Sequence, residues 1–160
     1  MILNKETADK KLRRLALEVA ERNHEKKELI LIGIKENGIV IAQKIASYLK
    51  DVFSGKIVLI ELSLNKKSPA EIVLSKELDF NNKCILLVDD VANSGRTMLY
   101  ALKPLLNQLP QQIETLVLVE RTYKKFPIAV DYVGLSVSTT KQENIIVKVE
   151  HEEVAGAWLE

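Results

Sequence analysis

Two adjacent acids, Asp89 and Asp90, follow the apolar run Ile85-Leu86-Leu87-Val88 and precede Val91-Ala92-Asn93-Ser94-Gly95-Arg96-Thr97-Met98. The four apolar residues read as a buried strand, and open α/β sheets keep their ligand crevices beyond the carboxyl ends of their strands. Carboxylates delivered there can accept hydrogen bonds from neighbouring hydroxyls such as those of a ribose. From Val91 to Thr97 the chain is mostly small or polar, so its backbone N–H groups can converge on one anion. Gly95 tolerates a positive φ, Ser94 and Thr97 add hydroxyls, and a helix starting there points its positive end inward. The stretch is suited to a sugar phosphate, with acids and phosphate cradle about one ribose apart.

A second loop has the same setting. Leu29-Ile30-Leu31-Ile32 reads as a buried strand, and Gly33-Ile34-Lys35-Glu36-Asn37-Gly38 follows it. By itself Gly-x-x-x-x-Gly is a weak signal, and the plain alternative is a βα turn in which Asn37 and Gly38 cap a helix. That helix runs from about Ile39 to Lys50, with Ile41, Ile45, Ala46 and Leu49 on its buried stripe.

The surrounding elements alternate as an α/β protein requires. A helix is expected over Thr7 to Asn23, with Leu12, Leu15, Ala16 and Val19 inward. Strands are expected at Lys56 to Leu64, Cys84 to Val88 and Gln112 to Val119, with shorter ones at Glu71 to Leu74, Asp131 to Leu135 and Ile145 to Val149. A helix from Gly95 to Asn107 contains Pro104, which kinks or restarts it. Such alternation favours a mostly parallel sheet.

The 160 residues, 47% hydrophobic and 28% charged, contain no repeat or linker and predict a single domain spanning 1–160. A net charge of +1 gives no uniform field for a polyanionic partner. No apolar run approaches the ~20 residues of a membrane span, and Met1-Ile2-Leu3-Asn4-Lys5-Glu6 does not read as a signal peptide, so a cytoplasmic location is expected. The lone Cys84 excludes a disulfide within one chain and reads as a core thiol. His24 and His151 lie in polar stretches far apart and suggest no metal site. Trp158 reads as packing the tail onto the domain or a neighbouring subunit.

Acid-acid-Val-x-x-Ser/Thr-Gly-Arg/Lys-Thr after a hydrophobic strand resembles the phosphoribosyl pyrophosphate (PRPP) signature of type I phosphoribosyltransferases. The resemblance implies an α/β fold with a mostly parallel central sheet, flanking helices and a small hood built from the terminal segments. By it, Asp89 and Asp90 bind the ribose hydroxyls and touch Mg2+ directly or through water, while Ala92, Asn93, Ser94, Gly95 and Thr97 enclose the 5′-phosphate. Arg96 faces outward or braces the loop. Ile34, Lys35, Glu36 and Asn37 contact pyrophosphate, Gly38 permits close approach, and Lys35 joins Asp89 and Asp90 as a catalytic residue. The reaction implied is displacement of pyrophosphate from C1 of PRPP by a nucleobase nitrogen.

The resemblance extends to the branch of bifunctional pyrimidine-operon attenuators and uracil phosphoribosyltransferases. It is carried by Glu21-Arg22-Asn23, Leu118-Val119-Glu120-Arg121, Phe126-Pro127-Ile128, Asp131-Tyr132-Val133-Gly134, Glu143 and Ile146-Val147-Lys148-Val149. It implies self-association as a homodimer or larger homo-oligomer, uracil or a related base as acceptor, and a hood in which Tyr132, Val133 and Val137 face the base.

Several residues depart from that branch. Leu62 to Ser68 lacks the Tyr-Arg-Asp-Asp block of its mobile catalytic loop, and Lys66 and Lys67 read either as pyrophosphate contacts or, more commonly for such pairs, as a solvated turn. Leu135, Ser138 and Thr122-Tyr123-Lys124-Lys125 differ in the hood region. Asn93 stands where purine enzymes place an Asp, and an amide cannot serve as a general base. A regulator that senses PRPP and binds RNA is the alternative function. For it, α-helical Lys10, Lys11, Arg13 and Arg14 would grip phosphates, although Glu6, Asp9, Glu18 and Glu21 share the helix.

Overall fold

The computed structural model describes residues 1–160. In chain order the elements are β1 (Leu3–Asn4), α1 (Lys5–Arg22), β2 (Glu28–Ile34), α2 (Asn37–Leu49), β3 (Lys56–Leu64), β4 (Ile72–Leu74) and β5 (Cys84–Ala92). They continue with α3 (Arg96–Ala101), a 3-10 turn (Lys103–Leu105), β6 (Gln112–Arg121), β7 (Tyr132–Val137), β8 (Ile145–Glu150) and β9 (Glu153–Leu159).

The main sheet has the order β4-β3-β2-β5-β6-β7. Only β4 runs antiparallel to its neighbour. Its central strands are apolar on both faces because both faces are covered. Leu29 and Leu31 of β2 pack with α1 and α2, whereas Ile30, Ile32 and Ile34 pack with Ile60, Leu62 and Met98 on the other side. Cutting a wholly buried side chain such as Leu31 back to alanine removes about 2–5 kcal/mol of stability.

From β2 the chain moves outward to β3, and from β5 it moves the opposite way through β6 to β7. The order reverses between β2 and β5, so the loops after these two strands diverge and open a crevice at their carboxyl ends. The hood is a second sheet of order β1-β9-β8, joining the first residues to the last. It is the hood expected of the terminal segments, but β9 itself was not anticipated.

Several boundaries differ from the sequence expectation. Strand β5 runs on through Ala92, so Asp89 and Asp90 lie within it, with Asp89 opposite Val117 of β6. The helix expected to reach Asn107 ends at Ala101, and Pro104 sits inside the 3-10 turn that follows, where its ring cannot continue the i→i−4 ladder. With α3 only six residues long, the loop's own amides carry more of any anion binding than a helix dipole does. Cys84 is buried, as a core thiol should be. No helix is long and apolar enough to cross a membrane.

Candidate active site

Asp89 and Asp90 are 1% and 4% exposed, although both carry a carboxylate. Burial at that level demands partners. Asp90 accepts from Asn37 Nδ2 at 2.8 Å through Oδ2 and from the Val91 amide at 2.8 Å through Oδ1. Asp89 accepts at Oδ1 from the Asp90 amide at 2.9 Å and from Lys66 Nζ at 3.4 Å. Its Oδ2 receives no donor from the chain. Burial, and next the adjacent Asp90 charge, push the Asp89 carboxyl well above the usual carboxylate range, with Lys66 opposing. Burial alone would lower the Lys66 ammonium, but the combined charge of Asp89 and Asp90 raises it.

The loop after β5 is short of acceptors. Arg96 N donates to Ser94 Oγ at 3.3 Å, whereas the amides of Asn93, Ser94, Gly95 and Thr97 find no acceptor within the chain. Gly95 sits at φ 83°, the left-handed region that a side chain disfavours. The Ser94 carbonyl accepts from Lys125 and Phe126 at 3.0 and 3.1 Å, which holds the loop from behind. Four amides without acceptors, on a loop held in this way, are free to donate to an anion.

The loop after β2 is partly spent on the fold. Ile34 is a core side chain, and Lys35 N donates to Leu62 O at 2.8 Å, so the Lys35 amide is taken up by the sheet. The Lys35 and Glu36 side chains are exposed, and the peptide bond between them is cis. Asn37 is not a helix cap: besides Asp90, its side-chain amide reaches Val147 O of β8 at 2.9 Å. Gly38 makes a close approach to the protein itself. A Cβ there would lie 2.8 Å from Val88 O and 2.9 Å from Asp89 Oδ1, so glycine is what lets α2 seat against β5.

A cavity of about 400 Å³ opens between Lys35, Glu36 and Asn37 on one side and Ser63 to Lys67 on the other. Lys66 belongs to it while also reaching the acids. Arg96 braces this turn rather than its own loop, donating from Nη2 to Lys66 O at 2.8 Å. A larger cavity of about 510 Å³ lies elsewhere, among α1, α2 and β9, lined by Asp9, Tyr48 and Glu153 among others. The acids do not border it.

Asn93 has a role that sequence reasoning did not find. Its side chain donates to Ile145 O at 2.9 Å and accepts from Ile145 N at 3.0 Å, a reciprocal pair that needs an amide's two functions. Asn37 and Asn93 thereby fasten alternate residues of β8 to the two loops of the crevice. Only the Asn93 backbone remains for a phosphate. Arg121, at the end of β6, is buried; it donates to Thr140 O, and its Nε has no partner.

The base-facing expectation needs correction at Tyr132. That side chain is wholly buried, and its hydroxyl donates to Glu114 at 2.9 Å and accepts from Asn23 at 3.2 Å. The Arg22 guanidinium lies 4.7 Å from its ring. The phenol is a core group with satisfied partners, its titration pushed far upward by burial and then by Glu114. Val133 packs into the core beneath the sheet, and its carbonyl accepts from Arg14 at 2.9 Å. Val137 pairs with Arg121 at the end of β7 and is half-buried, packed against the larger core. No group of three or more His, Cys, Asp or Glu residues stands ready to hold a metal ion.

A family model for the phosphoribosyl transferase domain matches residues 1–153. The bifunctional protein PyrR of Clostridium acetobutylicum is 33% identical over 159 residues, covering 93% of this chain and 89% of that protein. The pyrimidine operon regulatory protein of Lactococcus lactis is 33% identical and covers 94% of this chain and 91% of its own. Among solved structures, the hypoxanthine phosphoribosyltransferase of Trypanosoma cruzi superposes with a TM-score of 0.81 at 16% identity, covering 98% of this chain and 94% of that one. A hypoxanthine-guanine phosphoribosyltransferase from Bacillus anthracis gives 0.72 at 19% identity, over 91% and 84%. This chain belongs to the phosphoribosyltransferase family and has the fold of its type I enzymes.

Proposed function

We propose that this protein transfers the 5-phosphoribosyl group of PRPP to a ring nitrogen of a nucleobase, uracil or a related base, and releases pyrophosphate. The observation that carries the reading is the run of four unpartnered amides at Asn93, Ser94, Gly95 and Thr97 beside two buried carboxylates. Amides and acids so arranged suit the two ends of one ribose 5-phosphate. The ribose hydroxyls donate to Asp89 and Asp90, and the 5′-phosphate accepts from the loop. Held there, the sugar presents C1 toward the cavity bordered by Lys35.

In the transfer the C1–O bond to diphosphate breaks with its electron pair staying on the diphosphate, the C1–N bond forms, the proton of the acceptor nitrogen passes to the departing diphosphate or to water, and positive charge develops on the ribose ring along the way. The buried Asp89 and Asp90 stabilise that charge, and the Lys35 ammonium stabilises the departing diphosphate. Two carboxylates without a third ligand match a cation that arrives largely coordinated by substrate oxygens and water, as Mg2+ does. When bound, Mg2+ would neutralise the diphosphate and orient it, with Asp89 and Asp90 touching it directly or through water. Of the three positions expected at the base, the half-buried Val133 and Val137 are the ones this arrangement retains. Asn93, bonded on both sides to Ile145, takes no proton from the base.

The test is pyrophosphate release from PRPP and Mg2+ with a panel of uracil, xanthine, guanine, hypoxanthine, adenine and orotate. Release with uracil or a related base supports the reading. Failure of every base, with PRPP still bound, replaces it with a ligand-sensing regulator. The basic side chains of α1 give that alternative little support: Lys10, Arg13 and Arg14 pair with Glu6, Asp9 and Glu18 at 2.6, 3.0 and 3.3 Å. A self-paired helix face offers few free charges to RNA phosphates.

A further inference from the structure

We propose that Lys66 is an internal counter-ion of the acid pair, displaced toward the neighbouring cavity when the ribose of PRPP takes its place, an assignment that rests on the reading of Asp89 and Asp90 above. Three observations carry this. The first is a contact that holds the acids without saturating them. Lys66 Nζ stands 3.4 Å from Asp89 Oδ1 and 3.8 Å from Asp90 Oδ1, whereas a tight charge-assisted hydrogen bond measures about 2.7–2.9 Å. Asp89 Oδ2 remains without a donor, so an incoming hydroxyl has both a vacant acceptor and a weakly held one.

The second observation is that the turn stays in place without its ammonium. Asn65 Oδ1 accepts from Lys67 N at 3.0 Å and Ser68 N at 3.4 Å, and Arg96 Nη2 holds the Lys66 carbonyl at 2.8 Å. With the backbone pinned from both sides, only the four-carbon stem has to swing, and lysine is the cation built for that, a point charge with three rotatable donors. Arg96 opens α3 directly after the β5 loop, so the structure ties the turn to the segment that offers its amides to the phosphate.

The third observation is the destination. The cavity of about 400 Å³ next to the acids holds Lys35, Lys66 and Lys67 against a single carboxylate, Glu36. Lys35 and Lys67 form no ion pair within the chain. A diphosphate entering there meets an excess of positive charge, and the ammonium released from the acids adds to it. One residue thus stabilises the empty site and then contacts the filled one.

The experiment separates this exchange from the reading beneath it by using a metal probe with no PRPP present. Mn2+ binding to the free protein is followed by water-proton relaxation for the wild type, Lys66→Met, Lys66→Arg and, as control, Lys67→Met. With the counter-ion gone, Lys66→Met binds Mn2+ about tenfold more tightly, while Lys66→Arg and Lys67→Met stay at the wild-type value. PRPP affinity, measured by calorimetry, falls about tenfold in Lys66→Met. An unchanged Mn2+ affinity in a Lys66→Met protein that melts like the wild type overturns the proposal. If Lys66→Met does not fold, the Lys66 ε-methylene resonance of the wild type decides: it moves as PRPP saturates the protein, and a stationary resonance overturns the exchange. Wild-type protein that binds no PRPP at all refutes the reading of the acids instead.

Discussion

The loop after β5 and the turn after β3 face the same crevice but are encoded differently. The β5 loop carries its chemistry locally: the acids lie near the end of the strand, free amides follow within a few residues, and glycine supplies the left-handed bend among them. The β3 turn carries a lysine pair that any solvated loop could contain, and its part in the site comes from Arg96 and from the acids it reaches across the sheet. The difference teaches that an anion cradle can be written in one short stretch, whereas a charge brought to a buried carboxylate is a property of the tertiary structure.

The strongest way to break this comparison is to neutralise the local motif. Asp90→Asn should weaken PRPP binding by about 10–100-fold, the scale of losing a charged hydrogen-bond partner, while the melting curve remains cooperative. Calorimetry with PRPP and Mg2+ measures it, and unchanged affinity counts against the assignment. Asn93→Asp tests whether the β5 loop also depends on a distant partner. An ionised carboxylate cannot donate to Ile145 O, so the variant should lose about 1–3 kcal/mol in denaturant unfolding and gain no purine transferase activity. Stability equal to wild type would show that the hood does not need the reciprocal pair.

Asp89→Asn sharpens the contrast between function and stability. The Asp89 carboxyl titrates above its unfolded value near 3.8, so the folded state holds the proton more tightly. The ionised form therefore costs stability progressively as pH rises from about 3.8 through the raised folded value. At pH 7 the amide should raise Tm by a few degrees while PRPP binding is lost, and the Tm gain should shrink toward pH 4. A lower Tm at pH 7 would mean that the Lys66 contact outweighs burial and the Asp90 charge.

The smallest effect belongs to the other cavity. Glu153 is hydrogen-bonded to Lys44 and Lys5, which lower its carboxyl from 4.5 to about 2. Its stabilisation is present above about 4.5 and is lost as pH falls toward 2. The group is solvent-exposed, so the contribution is small and screened by salt. Glu153→Gln should slightly flatten the acid limb of the Tm profile and leave PRPP binding untouched. A loss of binding would connect the two cavities.

Much of the fold was legible because strand and helix periods differ. The strand over Lys56 to Leu64 and the stripe Ile41, Ile45, Ala46 and Leu49 appear in the structure as read. The tail strand β9 escaped notice because Val154-Ala155-Gly156-Ala157 has small residues where alternation would show a strand. The acids and the β5 loop were legible through their order. Tyr132 misled because a tyrosine near a strand end looks equally suited to a base or to a core, and only Glu114 and Asn23, distant in sequence, satisfy its hydroxyl. Asn37, Asn93 and Lys66 act on residues 53, 52 and 23 positions away, respectively, separations that no local pattern reveals.

The most direct test of the central claim is an amide chemical-shift titration of the intact protein with PRPP and Mg2+. The largest shifts are expected at Asn93, Ser94, Gly95 and Thr97, with Asp89 and Asp90 following and the amides near Asp9 and Tyr48 silent. Shifts centred on α1, α2 and β9, with the Asn93 to Thr97 amides unmoved at saturation, would contradict it.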